Sequence, residues 1–332
     1  MRRLLLYEFL HADADAFAAA DRGMLSEGRA MLQALLADAT GLFDVSTVVL
    51  LCRAAEQSLS VHVPTGCELS QCPHLSPLDA LVALATDCDF VLPVAPECDG
   101  ALLSVARALQ PLACTTLLPP LSVVEICSDK LRTRDMFCSS SVPMIECGSV
   151  WRRSSGARHS DSGTIYKPRR GAGCEGIQRG RLPLTADPQD YFSQPFVRGR
   201  SLSVGVLSGP AGYELLPVAE QSISWRGSRP KYDGGKIPAD IPDQVRAQIT
   251  AVAEQVLRQI DGFTGYLGID FLLADADGKV FLNEINPRVC TSYVGYRQML
   301  EFNQLAVMLG DAAVTPHRSS SRSIRFRADG AS

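Results

Sequence analysis

The sequence predicts an open α/β domain with a parallel sheet at its start and a carboxylate-bearing β-hairpin near its end. Short apolar segments alternate with helical segments over roughly the first 115 residues, which is typical of parallel strands covered by helices. The segment Tyr266–Arg288 resembles two strands joined by a tight turn, with Asp270 on the first strand and Glu284 and Asn286 on the second. Because polar side chains repeated on one strand face need a polar counterpart, this hairpin is the first candidate for a site.

Length and composition limit the classes of protein to consider. A chain of 332 residues suggests two or three domains, and 46% hydrophobic residues supply their cores. The net charge of −4 gives no reason to expect a nucleic-acid partner. No apolar run approaches the ~18–20 residues of a membrane span, so we expect no membrane insertion. Glu8 interrupts the apolar opening Met1–Glu8, which we interpret as a first buried strand of a cytosolic protein rather than a signal peptide.

The N-terminal elements follow from their periodicity. Short apolar runs predict strands and an apolar repeat at helical spacing predicts helices. The predicted strands are Leu4–Phe9, Ser46–Leu51 and Phe90–Val94, and the predicted helices are Met24–Leu36 and Ala101–Leu109. Ligands of open parallel sheets bind at the carboxyl ends of the strands. The loops Phe9–Asp15 and Ala95–Gly100 therefore become candidates for substrate contact, with Glu97 and Asp99 either touching substrate or capping their loop.

The eleven cysteines are scattered, and a cytosolic protein keeps them reduced. Cys67, Cys72 and His74 form the one cluster with a hint of metal-ligand spacing, but it matches no standard zinc signature. Loop and core cysteines are the favoured interpretation.

The second half of the chain mixes strands and helices less regularly. A Leu-Leu-Pro-Pro stretch at 117–120 predicts a linker, and a polar Ser/Arg-rich end from Thr315 predicts a frayed, flexible tail. The predicted strands are Ser122–Ile126, one that starts at Pro143, Thr164–Lys167, and Gln194–Leu207 with a turn at Gly199. The predicted helices are one opened by Ser128 or Asp129, and Asp240–Ile260 with Asp240 as its cap. The segment Trp225–Pro238 lacks periodicity and predicts a mobile loop.

The turn of the hairpin sets its register. A two-residue loop Asp277-Gly278 would point the Asp270 and Glu284 carboxylates to opposite faces, since a one-residue slip flips every side chain. A three-residue loop, Ala276–Gly278 with Gly278 in the left-handed region, places Asp270 opposite Glu284 and diagonal to Asn286. We favour the three-residue loop, which also pairs Ile269 with Ile285 and Leu273 with Phe281. These three polar side chains then suit Mg²⁺ held against nucleotide phosphates, with Mn²⁺ as an alternative.

A second polar feature is the strand lysine Lys167 followed by the glycine-rich segment Arg169–Ile177. An ammonium and closely approaching backbone amides suit phosphate binding, although the segment is not a Walker P-loop. Lys130 would by itself be a solvated helix lysine. Arg288 follows the carboxylate strand, where it either stabilises charge on a transferring phosphoryl group or forms a salt bridge to Glu284.

Together, Lys130, Lys167 with its glycine loop, Gln194–Gly199, Asp270 and the segment Glu284–Arg288 resemble the ATP-grasp family. The resemblance spans roughly Leu118–Leu309 and implies an N-terminal α/β domain followed by two α+β subdomains that sandwich ATP. It implies domains at 1–118, 119–192 with the glycine loop and 193–314 with the metal site, followed by the tail at 315–332.

The resemblance also implies a role for each matching residue. Lys130 and Lys167 would contact ATP, and the loop carrying Gly171, Gly173 and Gly176 would close over its phosphates. Backbone groups at Gln194, Phe196 and Val197 would read adenine, although Pro195 removes one donor and the acidic residue usual at this hinge is absent. Asp270, Glu284 and Asn286 would hold Mg²⁺, and Arg288 would steady an acyl phosphate.

A narrower similarity, carried by segments such as Glu27–Leu32, Ala219–Gln221 and Thr291–Gly295, is to the subgroup that includes the tyramine–glutamate ligases of methanofuran biosynthesis. It implies an ADP-forming ligase that joins a carboxylate such as glutamate to an amine such as tyramine or tyrosine. Thr291 and Ser292 would bind the carboxylate, and Arg226, Arg229 and Tyr232 either recognise it or are simply solvated. The proton acceptor for the amine stays open, with Glu97 or solvent as guesses. A ligase with other substrates, such as a small peptide or a protein terminus, and an ATP-binding regulatory module stay alternatives, and a homo-oligomer stays open.

Overall fold

The structure is a computed structural model that describes residues 1–58, 61–149, 163–182, 186–260, 262–312 and 323–330. Within these residues the strands form three sheets, of five, four and seven strands. The predicted α/β start and the predicted α+β remainder of the fold are both confirmed.

Five strands build the N-terminal sheet: β1 (Arg2–Glu8), β2 (Val45–Leu50), β3 (Cys67–Ser70), β4 (Phe90–Val94) and β5 (Thr115–Thr116). Their order is β3-β2-β1-β4-β5, and every pair is parallel. A parallel strand covered on both faces has a continuous apolar run. That is why Leu4, Leu5 and Leu6 in the central strand are all fully buried.

Helices cover both faces of this sheet. They are α1 (Phe9–Ala12), α2 (Ala14–Ala19), α3 (Arg22–Ala39), α4 (Arg53–Gln57), α5 (Pro77–Ala85) and α6 (Ala101–Leu109). Leu4 and Leu6 pack in one core with α3, whereas Leu5 and Tyr7 pack in a second core with α5 and α6. The predicted loop Phe9–Asp15 is wrong, because Glu8 accepts the His11 amide and starts α1 directly after β1.

Two helices, α7 (Leu121–Cys127) and α8 (Lys130–Phe137), follow the first domain. The predicted strand Ser122–Ile126 is wrong. As a helix, α7 buries Val124 in the N-terminal core and Val123 in the core of the C-terminal sheet, and this packing overrides the strand preference of valine. The predicted start of the next helix is confirmed, since Asp129 accepts the amides of Leu131 and Arg132. The predicted linker is buried rather than exposed. Leu117 packs in the core that contains α3, and Leu118 packs in the core that contains α5 and α6.

The second sheet contains β6 (Gly148–Ser149), β7 (Thr164–Pro168), β8 (Gln178–Arg179) and β9 (Tyr191–Pro195), in the order β6-β9-β7-β8. The predicted strand at 164–167 is confirmed. The strand expected to start at Pro143 is reduced to one bridge between Met144 and Leu282. The domain boundary predicted between residues 192 and 193 lies within the span of β9, and we propose a boundary after β9, at 196–198.

The third sheet contains β10 (Gly199–Gly209), β11 (Gly212–Leu215), β12 (Ala219–Arg226), β13 (Arg229–Ile237), β14 (Gly265–Ala274), β15 (Val280–Asn286) and β16 (Ile324–Arg327). Its order is β15-β14-β10-β12-β13-β16, with β11 paired to β10. The helices around it are α9 (Asp243–Leu257), α10 (Ser292–Met299) and α11 (Gln304–Leu309). Gly199 starts β10 rather than forming a turn.

Two expectations about this region are wrong. The predicted mobile loop 225–238 is mostly the hairpin of β12 and β13. Its exposed tip lacks the apolar alternation that marks a half-buried strand. The predicted cap Asp240 does not cap α9, because the bond from the Ala239 amide to Val218 O and the burial of Ile241 keep the chain extended up to Pro242.

The tail is also ordered in part. Residues 324–327 form β16, with Ile324 and Phe326 buried between exposed arginines. The rest of the predicted tail, 315–322 and 331–332, lies outside the described residues.

The hairpin of β14 and β15 has the predicted pairing of Asp270 with Glu284, but its loop differs from the predicted three-residue loop. Asp270 lies opposite Glu284 and Ile269 opposite Ile285. However, Leu273 pairs with Val280 rather than Phe281, because the loop has four residues, 275–278, between the bonded pair Ala274 and Lys279. A β-bulge at Asn283 then shifts the register back by one residue. Gly278 has φ +67°, as the predicted turn required.

Candidate active site

Two cavities lie between the sheets and meet each other. The smaller, of about 400 Å³, is lined by β7, the segment after β9, β10, β12 and the polar face of the β14–β15 hairpin. The larger, of about 1000 Å³, lies between the N-terminal domain, the glycine loop and β13. Glu27, Gly173, Tyr232, Arg288 and Thr291 line both. Groups bound in the two cavities would therefore come into contact at these residues.

Asp270 and Glu284 face each other across the hairpin in the smaller cavity. Asn286 donates to one oxygen of Asp270 at 3.1 Å, and Gln221 donates to the other at 3.0 Å. Burial, followed by the charge of Glu284, raises the pKa of Asp270 to about 7. Two opposed carboxylates that repel each other, with an amide beside them, form a donor set that suits a divalent cation. Mg²⁺ therefore fits these residues.

Within the described ranges, no group of three or more His, Cys, Asp or Glu side chains is arranged to hold a metal ion. The candidate set differs from such a cluster because it combines two carboxylates with an asparagine.

Both predicted lysines reach the hairpin from other elements. Lys130, at the start of α8, lies 2.9 Å from Glu284 and donates to the carbonyl of Gly171 at 2.7 Å. Lys167 on β7 donates to Asn283 Oδ1 at 2.8 Å. Burial lowers the pKa of Lys167 to about 8, against the opposing effect of the Glu284 carboxylate. The charged Lys167 ammonium is thus poorly solvated, which favours the binding of an anion beside it.

The glycine loop runs between the two cavities. Gly173 and Gly176 have φ of +60° and +70°, which other residues adopt only with strain. Gly173 lines both cavities and Gly176 lines the larger one, while Gly171 lies behind them and accepts from Lys130. The Ala172 amide donates to Cys98 Sγ, so one side of the loop rests on the N-terminal domain.

The end of β9 and the segment after it form one end of the smaller cavity, where Gln194, Phe196 and Val197 all line the wall. The Phe196 amide is already used, since it donates to the Gly163 carbonyl at 2.7 Å. The Phe196 ring makes an edge contact with Trp225 at 5.4 Å, and the Arg179 guanidinium lies over it at 3.9 Å. This end is therefore aromatic and apolar, which suits a heterocyclic base.

Arg288 does not pair with Glu284. It makes a bidentate bond to Glu97 of the N-terminal domain, with Nε–Oε1 at 2.9 Å and Nη2–Oε2 at 2.8 Å. Its Nη1 donates to the Val289 carbonyl. An arginine has five N–H donors, and with respect to the described residues these three bonds leave two for a ligand. Glu97, being fully engaged, is not the proton acceptor that the sequence had suggested.

The predicted site residues come together around the two cavities. Lys167, Gly173, Gln194, Phe196, Val197, Asp270, Glu284, Asn286 and Arg288 line the smaller cavity. Lys130 and Gly171 lie directly behind Glu284. Of the residues suggested for carboxylate recognition, Thr291 and Tyr232 line both cavities and Ser292 lines the smaller one. Arg229 lines the larger cavity, and Arg226 lines neither.

Sequence reasoning missed three residues. Asn283 faces Lys167 only because of the bulge, which no sequence signal announced. Gln221 and Glu27 had appeared only within segments that carry the narrower similarity, without a chemical role.

Comparison with known proteins agrees with this geometry. A family model described as "ATP-grasp domain" matches residues 127–292, half of the chain and the range that holds the residues predicted to bind ATP and the metal. A model described as "pre ATP-grasp 3 domain" matches residues 60–122. The chain belongs to the ATP-grasp family. The resemblance found in its sequence is thereby confirmed. An ATP-grasp superfamily protein from Archaeoglobus fulgidus has a similar structure, with a TM-score of 0.71 at 21% identity over 93% of this chain and 88% of that one.

Two curated relatives of this ATP-grasp chain share a shorter segment. A tyramine–L-glutamate ligase from Methanocaldococcus fervens is 32% identical over 109 residues, 33% of this chain and 34% of that protein. A D-alanine–D-alanine ligase from Bordetella petrii is 32% identical over 123 residues, 35% of this chain and 36% of that protein. The chain thus matches about a third of the length of each. No helix in the described ranges is long and apolar enough to span a membrane.

Proposed function

We propose that this ATP-grasp protein is an ATP-dependent, ADP-forming ligase that joins a carboxylate to an amine through an acyl phosphate. The observation that carries the proposal is the junction of the two cavities at Arg288 and Thr291. A ligase must bring nucleotide, carboxylate and amine to one point. The smaller cavity suits the nucleotide, and the larger has room for both acceptor substrates.

The nucleotide end of the proposal assigns each group by its chemistry. Phe196 and Trp225 offer an apolar face to adenine, with the backbone of Gln194 and Val197 alongside. Lys130, Lys167 and the amides of Gly171, Gly173 and Gly176 offer positive charge and donors to the phosphates. Asp270, Glu284 and Asn286 would hold Mg²⁺. When bound, the ion would supply neutralisation of phosphate charge.

The reaction needs positioning more than a protein nucleophile. A substrate carboxylate oxygen attacks the γ-phosphorus of ATP, the bond to the β–γ bridging oxygen breaks, and ADP leaves. The amine nitrogen then attacks the acyl carbon, and the bond from carbon to the phosphate oxygen breaks. Arg288 lines both cavities, and its two remaining donors would stabilise the negative charge of the acyl phosphate.

L-Glutamate and tyramine, or tyrosine, are the substrates we propose. The support is the similarity to the tyramine–L-glutamate ligase over the shared segment, together with hydroxyl and basic groups around the larger cavity at Thr291, Tyr232 and Arg229. We propose that the protein acts in the cytoplasm, in the synthesis of a methanofuran-type one-carbon cofactor.

A second candidate is the joining of two amino acids, as in D-alanine–D-alanine ligases. It is favoured by the 32% identity to such an enzyme over 123 residues. It uses the same residues and the same chemistry, and differs only in the occupants of the larger cavity.

The test supplies the purified protein with ATP, Mg²⁺, L-glutamate and tyramine, and measures ADP release and the amide product by mass spectrometry. Parallel reactions replace both substrates with D-alanine, or use pools of other carboxylates and amines. ADP release that needs both partners supports a ligase, and the productive pair identifies the substrates. Tight ATP binding without ADP release for any pair would instead indicate a regulatory module and would end the ligase proposal.

A further inference from the structure

Glu27 holds a position that no other carboxylate of the described residues shares. It lies on α3 of the N-terminal domain and lines both the smaller and the larger cavity. Thr291, just beyond the Arg288 segment, donates to its Oε2 at 3.1 Å. Its Oε1 accepts no hydrogen bond from the part of the chain that the structure describes. One oxygen is thus held in place, while the other is left for a ligand of the two cavities that Glu27 lines.

The other acidic groups near the junction are already engaged. Glu97 is bound by both of its oxygens to Arg288. Glu284 pairs with Lys130, and Asp270 accepts from Gln221 and Asn286. An amine must lose a proton before it can attack. These engaged carboxylates are therefore poor candidates for its proton acceptor.

The remaining acids around the larger cavity are engaged too, or lie away from the junction. Glu8 is bound to His11, Asp21 caps α3, Asp233 pairs with Lys231, and Asp329 pairs with Arg327. Glu175 is exposed and lines only the larger of the two cavities.

We infer that Glu27 binds the amine substrate as its ammonium ion and then acts as the general base for amide formation. The inference rests on the proposed ligase function and names a residue for its second step. An ammonium in the larger cavity would donate to Oε1 of Glu27, with the acyl phosphate on the Arg288 side. An aliphatic or arylalkyl primary amine, cationic at neutral pH, is the substrate class that such a carboxylate selects.

The proton balance of the step is complete. Glu27 takes one proton from the ammonium, an N–H bond breaks, and the freed lone pair attacks the acyl carbon. As the carbon–oxygen bond to phosphate breaks, the nitrogen loses a second proton, which leaves on the phosphate as HPO₄²⁻. The amide keeps the third. Glu27 then returns its proton to solvent through the larger cavity.

The surroundings of Glu27 favour its role as a proton acceptor. Burial raises the pKa of Glu27, while the Thr291 hydrogen bond and the Arg288 and Lys231 charges act in the opposite direction. Asp21 at the start of α3 also raises it. Cys174 on the glycine loop and Tyr232 on β13 are the other titratable groups that face it. A carboxyl group with a raised pKa is a better proton acceptor than an ordinary surface carboxylate.

The experiment separates the two chemical steps in the native protein, Glu27→Gln and the control Glu254→Gln, an exposed glutamate on α9. Hydroxylamine is uncharged at neutral pH and traps an acyl phosphate without a base. With ATP, Mg²⁺ and L-glutamate, we expect all three proteins to form the hydroxamate at similar rates. With tyramine in place of hydroxylamine, E27Q should lose amide formation by about 100-fold or more, within the usual range for a general base. The E27Q rate should then rise tenfold per pH unit as free amine accumulates.

The outcomes are distinguishable. If E27Q keeps the native rate with tyramine, or loses hydroxamate and amide formation equally, Glu27 is not the base. Thermal melting of E27Q checks that it folds, and Glu27→Asp, which keeps a carboxylate, should recover part of the amide rate. Native protein that forms no hydroxamate from L-glutamate or from any carboxylate of the pools overturns the ligase function itself, and this inference with it.

Discussion

Arg288 and Glu97 are joined by two buried hydrogen bonds of 2.9 and 2.8 Å, although 191 residues separate them in the chain. The pair connects the segment that follows β15 to the loop after β4 of the N-terminal domain. It fixes the plane of the guanidinium at the point where the two cavities meet. The N-terminal domain therefore does more than cover the larger cavity, because it orients the residue proposed to stabilise the acyl phosphate.

Glu97→Gln should be strongly destabilising, because it leaves the Arg288 charge buried without its partner. We expect a loss of about 3–5 kcal/mol in the free energy of unfolding, the usual result of breaking a buried ion pair from one side. Denaturant titration measures it. The double variant E97Q/R288M, which removes both charges, should recover much of that stability and no ligase activity. A native-like unfolding midpoint for E97Q would show that the pair is not needed for folding.

Glu284→Ala should abolish ATP turnover, because it removes one carboxylate of the proposed metal set and leaves Lys130 without its partner. Activity should not return at high Mg²⁺. Glu254→Ala, which changes an exposed glutamate of α9, is the matched control and should turn over ATP like the native protein. ADP release across a Mg²⁺ titration is the measurement. Native-like ADP release by the Glu284→Ala variant would contradict the proposed role of Glu284 in metal binding.

Nucleotide affinity should fall as pH rises through about 8. Free Lys167 has a pKa lowered to about 8 by burial, and bound phosphates stabilise its charged form, so binding takes up a proton above that pH. Below that pH the lysine is already charged and the affinity should be flat in this respect. Calorimetric titration with ADP from pH 7 to about 9.5 tests this. Lys167→Met should bind more weakly, and the decline should be missing.

Asn283→Ala should move that midpoint to lower pH. The Asn283 side chain accepts from the Lys167 ammonium at 2.8 Å, and loss of an acceptor disfavours the charged form. The expected stability change is small, about 1 kcal/mol. The same calorimetric series detects the shift. A midpoint that stays in place would mean that the bulge residue does not tune this lysine.

Phe326→Ala should destabilise the protein by about 3–5 kcal/mol, as for other buried aromatic residues. Phe326 is 4% exposed and lies against Gly295 and Gly235, where an added Cβ would come within 2.5 and 2.9 Å of its ring. The neighbouring Arg325→Ala, on the exposed face of β16, should change the stability by less than about 0.5 kcal/mol. Thermal unfolding compares the two. Equal and negligible effects would mean that this end of the chain is frayed after all.

The sequence by itself determined the parallel N-terminal sheet, the presence of the polar β14–β15 hairpin and the family. These depend on local patterns, namely continuous apolar runs, a glycine suited to the turn, and charged residues at fixed spacing. Where the local pattern was weak, prediction failed. The strand hairpin at 219–237 has an exposed tip without alternation, and α7 is a valine-rich helix that only packing between two cores explains.

Tertiary structure alone decided how the site residues engage one another. Asp270 faces Glu284 because a four-residue loop and a bulge at Asn283 compensate each other, a sum of two shifts that the turn sequence does not reveal. Arg288 pairs with Glu97 rather than with Glu284, because the folded N-terminal domain places the buried Glu97 carboxylate beside it. Glu27 gains its place at the cavity junction in the same way. Such contacts depend on how the N-terminal domain packs against the rest of the protein. The spacing of residues along the sequence does not predict that packing.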